Sequence, residues 1–162
     1  MKILKPIQFQ GNLNRTRYFE GWYFKQVSKN GEHVLSVIPG IALTKSNKHA
    51  FIQIINGLSG QTWNITYPLS EFKYSKSEFK VQVGDSLFSE NGILLNIDSK
   101  ELVLKGEIQF SNLVKYPSKF LSPGIMGWYS FVPFMECKHG IGSVLHSLDG
   151  NLKLNDETIH FN

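Results

Sequence analysis

The chain of 162 residues carries 17 Lys and Arg against 13 Asp and Glu, for a net charge of +4, with 41% hydrophobic and 19% charged residues. That length suits a single domain with one core, and that balance excludes a disordered chain. Lys25, Lys29, Lys45, Lys48, Lys73, Lys76 and Lys80 are dispersed rather than massed, so no nucleic-acid stripe is present and these side chains read as solvated strand faces.

One cysteine, Cys137, excludes an internal disulfide. Residues 1–11 hold only short apolar pieces, too few for a signal peptide, and no run approaches the roughly 20 apolar residues of a membrane-spanning helix. The expectation is a cytoplasmic protein with at most a peripheral membrane contact. Aromatics reach 13%, with 12 Phe, 6 Tyr and 3 Trp, and such side chains favour half-buried strand surfaces and the walls of ligand cavities.

In chain order, a first strand is predicted over residues 18–28. It turns at Lys29-Asn30-Gly31-Glu32, where Asn-Gly supplies the positive φ angles of a tight hairpin, into a return strand over residues 33–38 closed by Pro39-Gly40. Residues 48–56 and 61–67 form a second hairpin, with Trp63, Ile65 and Tyr67 on one face. Strands over 78–83, 86–89, 92–97 and 101–110 follow, joined by Gly84-Asp85, Glu90-Asn91-Gly92 and Asp98-Ser99-Lys100. Leu102, Leu104, Ile108 and Phe110 alternate with Val103, Lys105, Glu107 and Gln109, as a strand buried on one side requires. Pro117, Pro123, Gly124 and Gly127 predict a long irregular loop over residues 116–127, a class of segment that commonly carries function. The last strands are expected over 128–134, 141–148, 151–154 and 158–161, with turns at Asp149-Gly150 and residues 154–157. About ten strands linked by short turns predict an all-β fold, an antiparallel meander closed into a barrel, in a single domain spanning residues 1–162.

No glycine-rich phosphate loop, no paired-cysteine or H-x-x-x-H metal spacing and no G-x-S-x-G elbow occurs. His33, His49, His139, His146 and His160 are scattered, so neither a metal nor a cofactor is expected. Two segments stand out because each embeds a carboxylate among rings: Y-F-E-G-W-Y-F-K at residues 18–25, and S-P-G-I-M-G-W-Y-S-F-V-P-F-M-E-C-K-H-G at residues 122–140. In the first, alternation puts Glu20, Trp22 and Phe24 on one face and Phe19, Tyr23 and Lys25 on the other, which predicts a strand covered on both sides. In the second, Glu136 follows Pro133-Phe134-Met135, where desolvation without a cation would raise its proton affinity and make it a general acid. The alternative for both carboxylates is plain satisfaction by backbone amides or by Arg15, Arg17 or Lys138, with the rings as core.

These two segments, followed by H-S-L-D-G at residues 146–150, resemble the signature blocks of the tocopherol cyclase-like family. The resemblance implies an antiparallel lipocalin-like (calycin-type) barrel, the first of two in a longer protein, so a C-terminal second domain is an expected partner. It also implies a hydrophobic prenylated or polyene ligand. In the plant members an acid protonates a prenyl double bond and a phenol oxygen captures the tertiary cation, in a pocket that keeps water away from that cation. Carried onto this chain, the resemblance makes Glu136 the first candidate proton donor and Glu20 the second. Trp22, Tyr23, Trp128 and Phe134 then line the pocket, with His139 at the end of the second block. Three functions remain open: a cyclase or hydratase, a non-catalytic carrier of a hydrophobic ligand, and a structural domain whose aromatics form a closed core.

Overall fold

Apolar and polar residues alternate with a period of two between turns of Asn, Asp, Ser and Gly, and this builds strands, with no α-helix among the described residues. The computed structural model describes residues 7–117, 124–132 and 139–162. The strands are β1 (Tyr18–Gly21), β2 (Phe24–Val27), β3 (Val34–Leu43), β4 (Lys48–Asn56), β5 (Thr62–Pro68), β6 (Phe72–Tyr74), β7 (Lys80–Val83), β8 (Ser86–Ser89), β9 (Gly92–Asp98), β10 (Val103–Val114), β11 (Leu145–Leu154) and β12 (Glu157–Phe161). All pairings are antiparallel and fall into two sheets. In the first sheet β1 and β2 lie end to end along one side of β3, with β4 and then β5 on the other. The second runs in chain order from β6 to β12. The expected meander is therefore present, divided between two sheets. Among the described residues no ladder joins β5 to β6, or β12 to β1 or β2.

The inner faces meet in one apolar cluster. Leu35, Val37 and Ile41 of β3 and Ala50, Ile52 and Ile54 of β4 belong to the same core as Val81, Phe88, Ile93, Leu95, Leu104, Ile108, Leu152 and Phe161 of the second sheet. Burying each large side chain of this kind contributes roughly 1.5–3 kcal/mol, so the cluster is the main stabilising feature of the fold. Trp63, Ile65 and Tyr67 join it from β5, the face that their spacing predicts.

Four local expectations are corrected. β3 does not stop at Pro39-Gly40 but continues to Leu43. The Pro39 carbonyl accepts a hydrogen bond from Trp22 N (3.0 Å), so the proline's missing N–H faces the break between β1 and β2, where no ladder bond is lost. In the turn after β2 only Gly31 takes a positive φ (73°) and Asn30 does not, so the primed two-residue turn expected for Asn-Gly is absent. Gly31 N instead bonds the Ser28 carbonyl (2.8 Å). Asp149-Gly150 is no turn: β11 runs through it, with Gly150 opposite Ile108 at φ 149°. A Cβ on Gly150 would collide with the Glu107 carbonyl, so this glycine serves close approach of two backbones. Finally, Gly127–Phe131 is a three-ten turn where a strand was expected. Gly124 and Gly127 take positive φ angles (66° and 56°), and Gly127 N, Tyr129 N and Val132 N bond carbonyls three residues back, which coils the chain.

Candidate functional site

The first aromatic block is built by register. Tyr18 pairs with Leu43, Glu20 with Ile41, Phe24 with Val37 and Gln26 with Leu35, all buried inner-face partners, so these side chains point between the sheets. Their rings continue into a row. Phe9 lies against Tyr18 (6.4 Å between centroids) and Trp22 (6.4 Å), Trp22 against Phe72 (6.3 Å) and Phe79 (5.8 Å), and Phe24 against Phe79 (6.1 Å), Phe88 (5.6 Å) and Phe110 (6.1 Å). Phe110 then meets His146 (4.8 Å), whose pKa burial pulls down. The row draws on both sheets.

Glu20 stands at one end of it. Its carboxylate accepts from Gln10 N (3.0 and 3.1 Å to the two oxygens), from Gly11 N (3.1 Å) and from the Tyr18 hydroxyl (2.6 Å). Burial, together with this bond to a carboxylate, pushes the Tyr18 phenol well above its ordinary value. Trp22 secures the same N-terminal strap by donating its indole N–H to the Ile7 carbonyl (2.7 Å). Between the two candidate readings of Glu20, the geometry supplies backbone donors, and Arg15 instead lies over the Tyr18 ring at 5.0 Å. Phe9, which seats the strap among the rings, belongs to the short alternation Ile7-Gln8-Phe9-Gln10, too brief to single it out in the sequence.

The opposite face of the block is open, contrary to the expected cover on both sides. Phe19 and Tyr23 are 67% and 62% exposed. Phe19 stacks on Phe51 (5.7 Å), and the Tyr23 hydroxyl shares a hydrogen bond with Ser36 Oγ (2.8 Å). Of the lining residues proposed for this block, Trp22 therefore joins the inner row while Tyr23 faces outward.

In the second block Trp128 stacks on Tyr129 (4.0 Å) in the three-ten turn, and both are largely exposed, Trp128 by 61%. His139 is exposed. Glu136 and Phe134 lie outside the described residues. No residue of 124–132 belongs to the core cluster or to the side chains packed against it. Among the described residues no group of three or more His, Cys, Asp or Glu is arranged to hold a metal ion.

Two clefts on the described residues lie elsewhere. One, of about 430 Å³, opens between the β2–β3 turn and β12 and is lined by Ser28, Lys29, Asn30, His33, Thr158 and His160. The other, of about 250 Å³, lies on the outer side of β10 and β11 around Glu107, Gln109 and Asp149. Both are open to solvent, and neither is walled by the inner rings. One inner residue that the sequence reading passed over is Gln26: it is fully buried on the same face as Phe24, and neither its Oε1 nor its Nε2 has a hydrogen-bond partner among the described residues. Its signal was an amide at an inward position of an otherwise aromatic alternation.

Comparison with family models, with curated proteins and with solved structures finds no match to this chain.

Proposed function

We propose that this chain is a tocopherol cyclase-like domain, related to lipocalin-like barrels, that binds a hydrophobic prenylated or polyene small molecule between its two sheets. The observation supporting this reading is the continuous inner row of rings from Phe9 through Trp22 and Phe24 to Phe110, whose π faces suit an unsaturated chain. Because these rings touch one another, a ligand enters by parting them.

Carriage is the simpler form of the reading. Acid-catalysed cyclisation or hydration of a prenyl double bond is its fuller form, with Glu136 as the proton donor. Glu20, engaged as an acceptor by the N-terminal strap, then shapes the site. Trp22 lines the inner site, while Tyr23, Trp128, Phe134 and His139 are assigned to the ligand by the family resemblance alone. The same reading carries a cytoplasmic setting, a peripheral membrane contact and a C-terminal second domain as partner; among the described residues no helix is long and apolar enough to cross a membrane.

A second reading, a structural domain with a closed aromatic core, is favoured by the ring-to-ring packing and by two clefts that both lie outside it. Titration of the purified chain with trans-farnesol and trans-β-farnesene, followed by tryptophan fluorescence and calorimetry, separates the two. Saturable binding of either compound, weakened about tenfold by Trp22→Ala, a loss typical of one packed contact, supports ligand binding. Absence of saturable binding by both leaves the closed core.

A further inference from the structure

We propose that Gln26 is the polar anchor of the inner site and selects ligands bearing one uncharged group that both donates and accepts a hydrogen bond, an alcohol or an un-ionised carboxylic acid; this rests on the ligand-binding reading above.

β2 alternates Phe24 inward, Lys25 outward, Gln26 inward and Val27 outward, and Gln26 sits opposite Leu35, itself buried. The Gln26 side chain has no exposure, and both of its polar atoms lack a partner among the described residues. Buried polar groups in proteins are almost always paired, because an unpaired one keeps the whole cost of losing its water. Leucine or methionine would occupy the same inward position without that cost. An amide retained there at a loss to stability points to a partner that arrives with the ligand.

The valence of the amide restricts that partner. Oε1 accepts and Nε2 donates, so a hydroxyl or an un-ionised carboxyl group answers both atoms at once. A quinone or ester carbonyl answers only Nε2, and a hydrocarbon answers neither. A charged head is disfavoured among these apolar neighbours. The apolar tail would then extend from Gln26 past Phe24 to Phe79 (6.1 Å from Phe24) and Trp22 (5.8 Å from Phe79), along the ring row.

The test uses the full chain and two probes of equal tail, trans-farnesol with a hydroxyl head and trans-β-farnesene with none. The expected result is about a tenfold preference of the wild-type protein for farnesol, the effect of one net hydrogen bond, and loss of that preference in Gln26→Leu and Gln26→Met, with farnesene affinity held and thermal stability raised. A farnesol-to-farnesene ratio unchanged by both substitutions overturns the anchor and leaves the ligand-binding reading standing. Failure of both variants to fold also overturns it, since an amide without protein partners should be dispensable to folding. Binding of neither probe overturns the ligand-binding reading and the anchor with it.

Discussion

The two aromatic blocks have nearly the same ingredients, a carboxylate, a Gly-Trp-Tyr core and flanking Phe, and opposite fates. In Tyr18–Lys25 the strand register sends every second side chain between the sheets, and the acid, the indole and a phenyl ring enter one network. In the described part of the second block, Gly124 and Gly127 adopt positive φ angles and the chain coils, leaving Trp128 and Tyr129 stacked on each other in solvent. Burial here follows from the backbone conformation that the glycines permit, since the aromatic content of the two blocks is alike.

The comparison breaks most visibly at its two tryptophans. Trp22 contacts Phe9, Phe72 and Phe79 and donates to Ile7 O. Trp22→Ala is expected to lower unfolding stability by about 3 kcal/mol, the range for removing a large packed ring. Urea unfolding measures it, and a loss below about 1 kcal/mol would mean that the inner row is not packed as described.

Glu20→Gln sharpens the same contrast at the acid. The charge that receives Gln10 N, Gly11 N and Tyr18 OH is removed while the shape is kept, and hydrogen bonds to a charged group are worth about 1.5–3 kcal/mol. A loss near 2 kcal/mol is expected, with faster amide exchange at Gln10 and Gly11. Unchanged exchange there would show that the strap is held by Phe9 and Trp22 alone.

A smaller effect is expected at His146, at the far end of the row. Burial lowers its pKa below the ordinary 6.5, so the unfolded chain binds a proton that the folded protein resists. Its contribution is therefore constant above that value and turns destabilising as the pH falls through and below 6.5. His146→Phe removes this component. The wild-type-minus-variant difference in melting temperature should fall on acidification below pH 6.5, as the wild type alone loses stability, and stay flat above it; a difference independent of pH would place His146 in water.

What could be read from the residues was whatever depends on period. The Trp63, Ile65 and Tyr67 face, the Leu102-to-Phe110 alternation and the inward set Glu20, Trp22 and Phe24 all follow from a repeat of two. What escaped depends on long-range partners. Pro39 looked like a terminator because the gap it faces is made by a break in a different strand. Gly150 looked like a turn because its reason, the Glu107 carbonyl on β10, is more than forty positions away in the chain. Two of Glu20's partners are the backbone amides of Gln10 and Gly11, a group identical in every residue and so invisible in a sequence. Gln26 was visible as a polar residue in an apolar register, but its lack of a partner is a property of the packed interior.

The smallest expected effect is at Trp128. Its ring touches Tyr129 and lies mostly in solvent, and exposed side chains of this kind change stability by no more than about 0.5 kcal/mol on truncation. Trp128→Ala should therefore unfold at the wild-type urea midpoint, leaving any change in farnesol affinity attributable to ligand contact and not to a loosened fold. A midpoint shift equivalent to more than about 1 kcal/mol would show that the turn docks on the body of the protein in solution. The two blocks would then differ in degree of burial only, and the glycines at 124 and 127 would no longer explain the contrast.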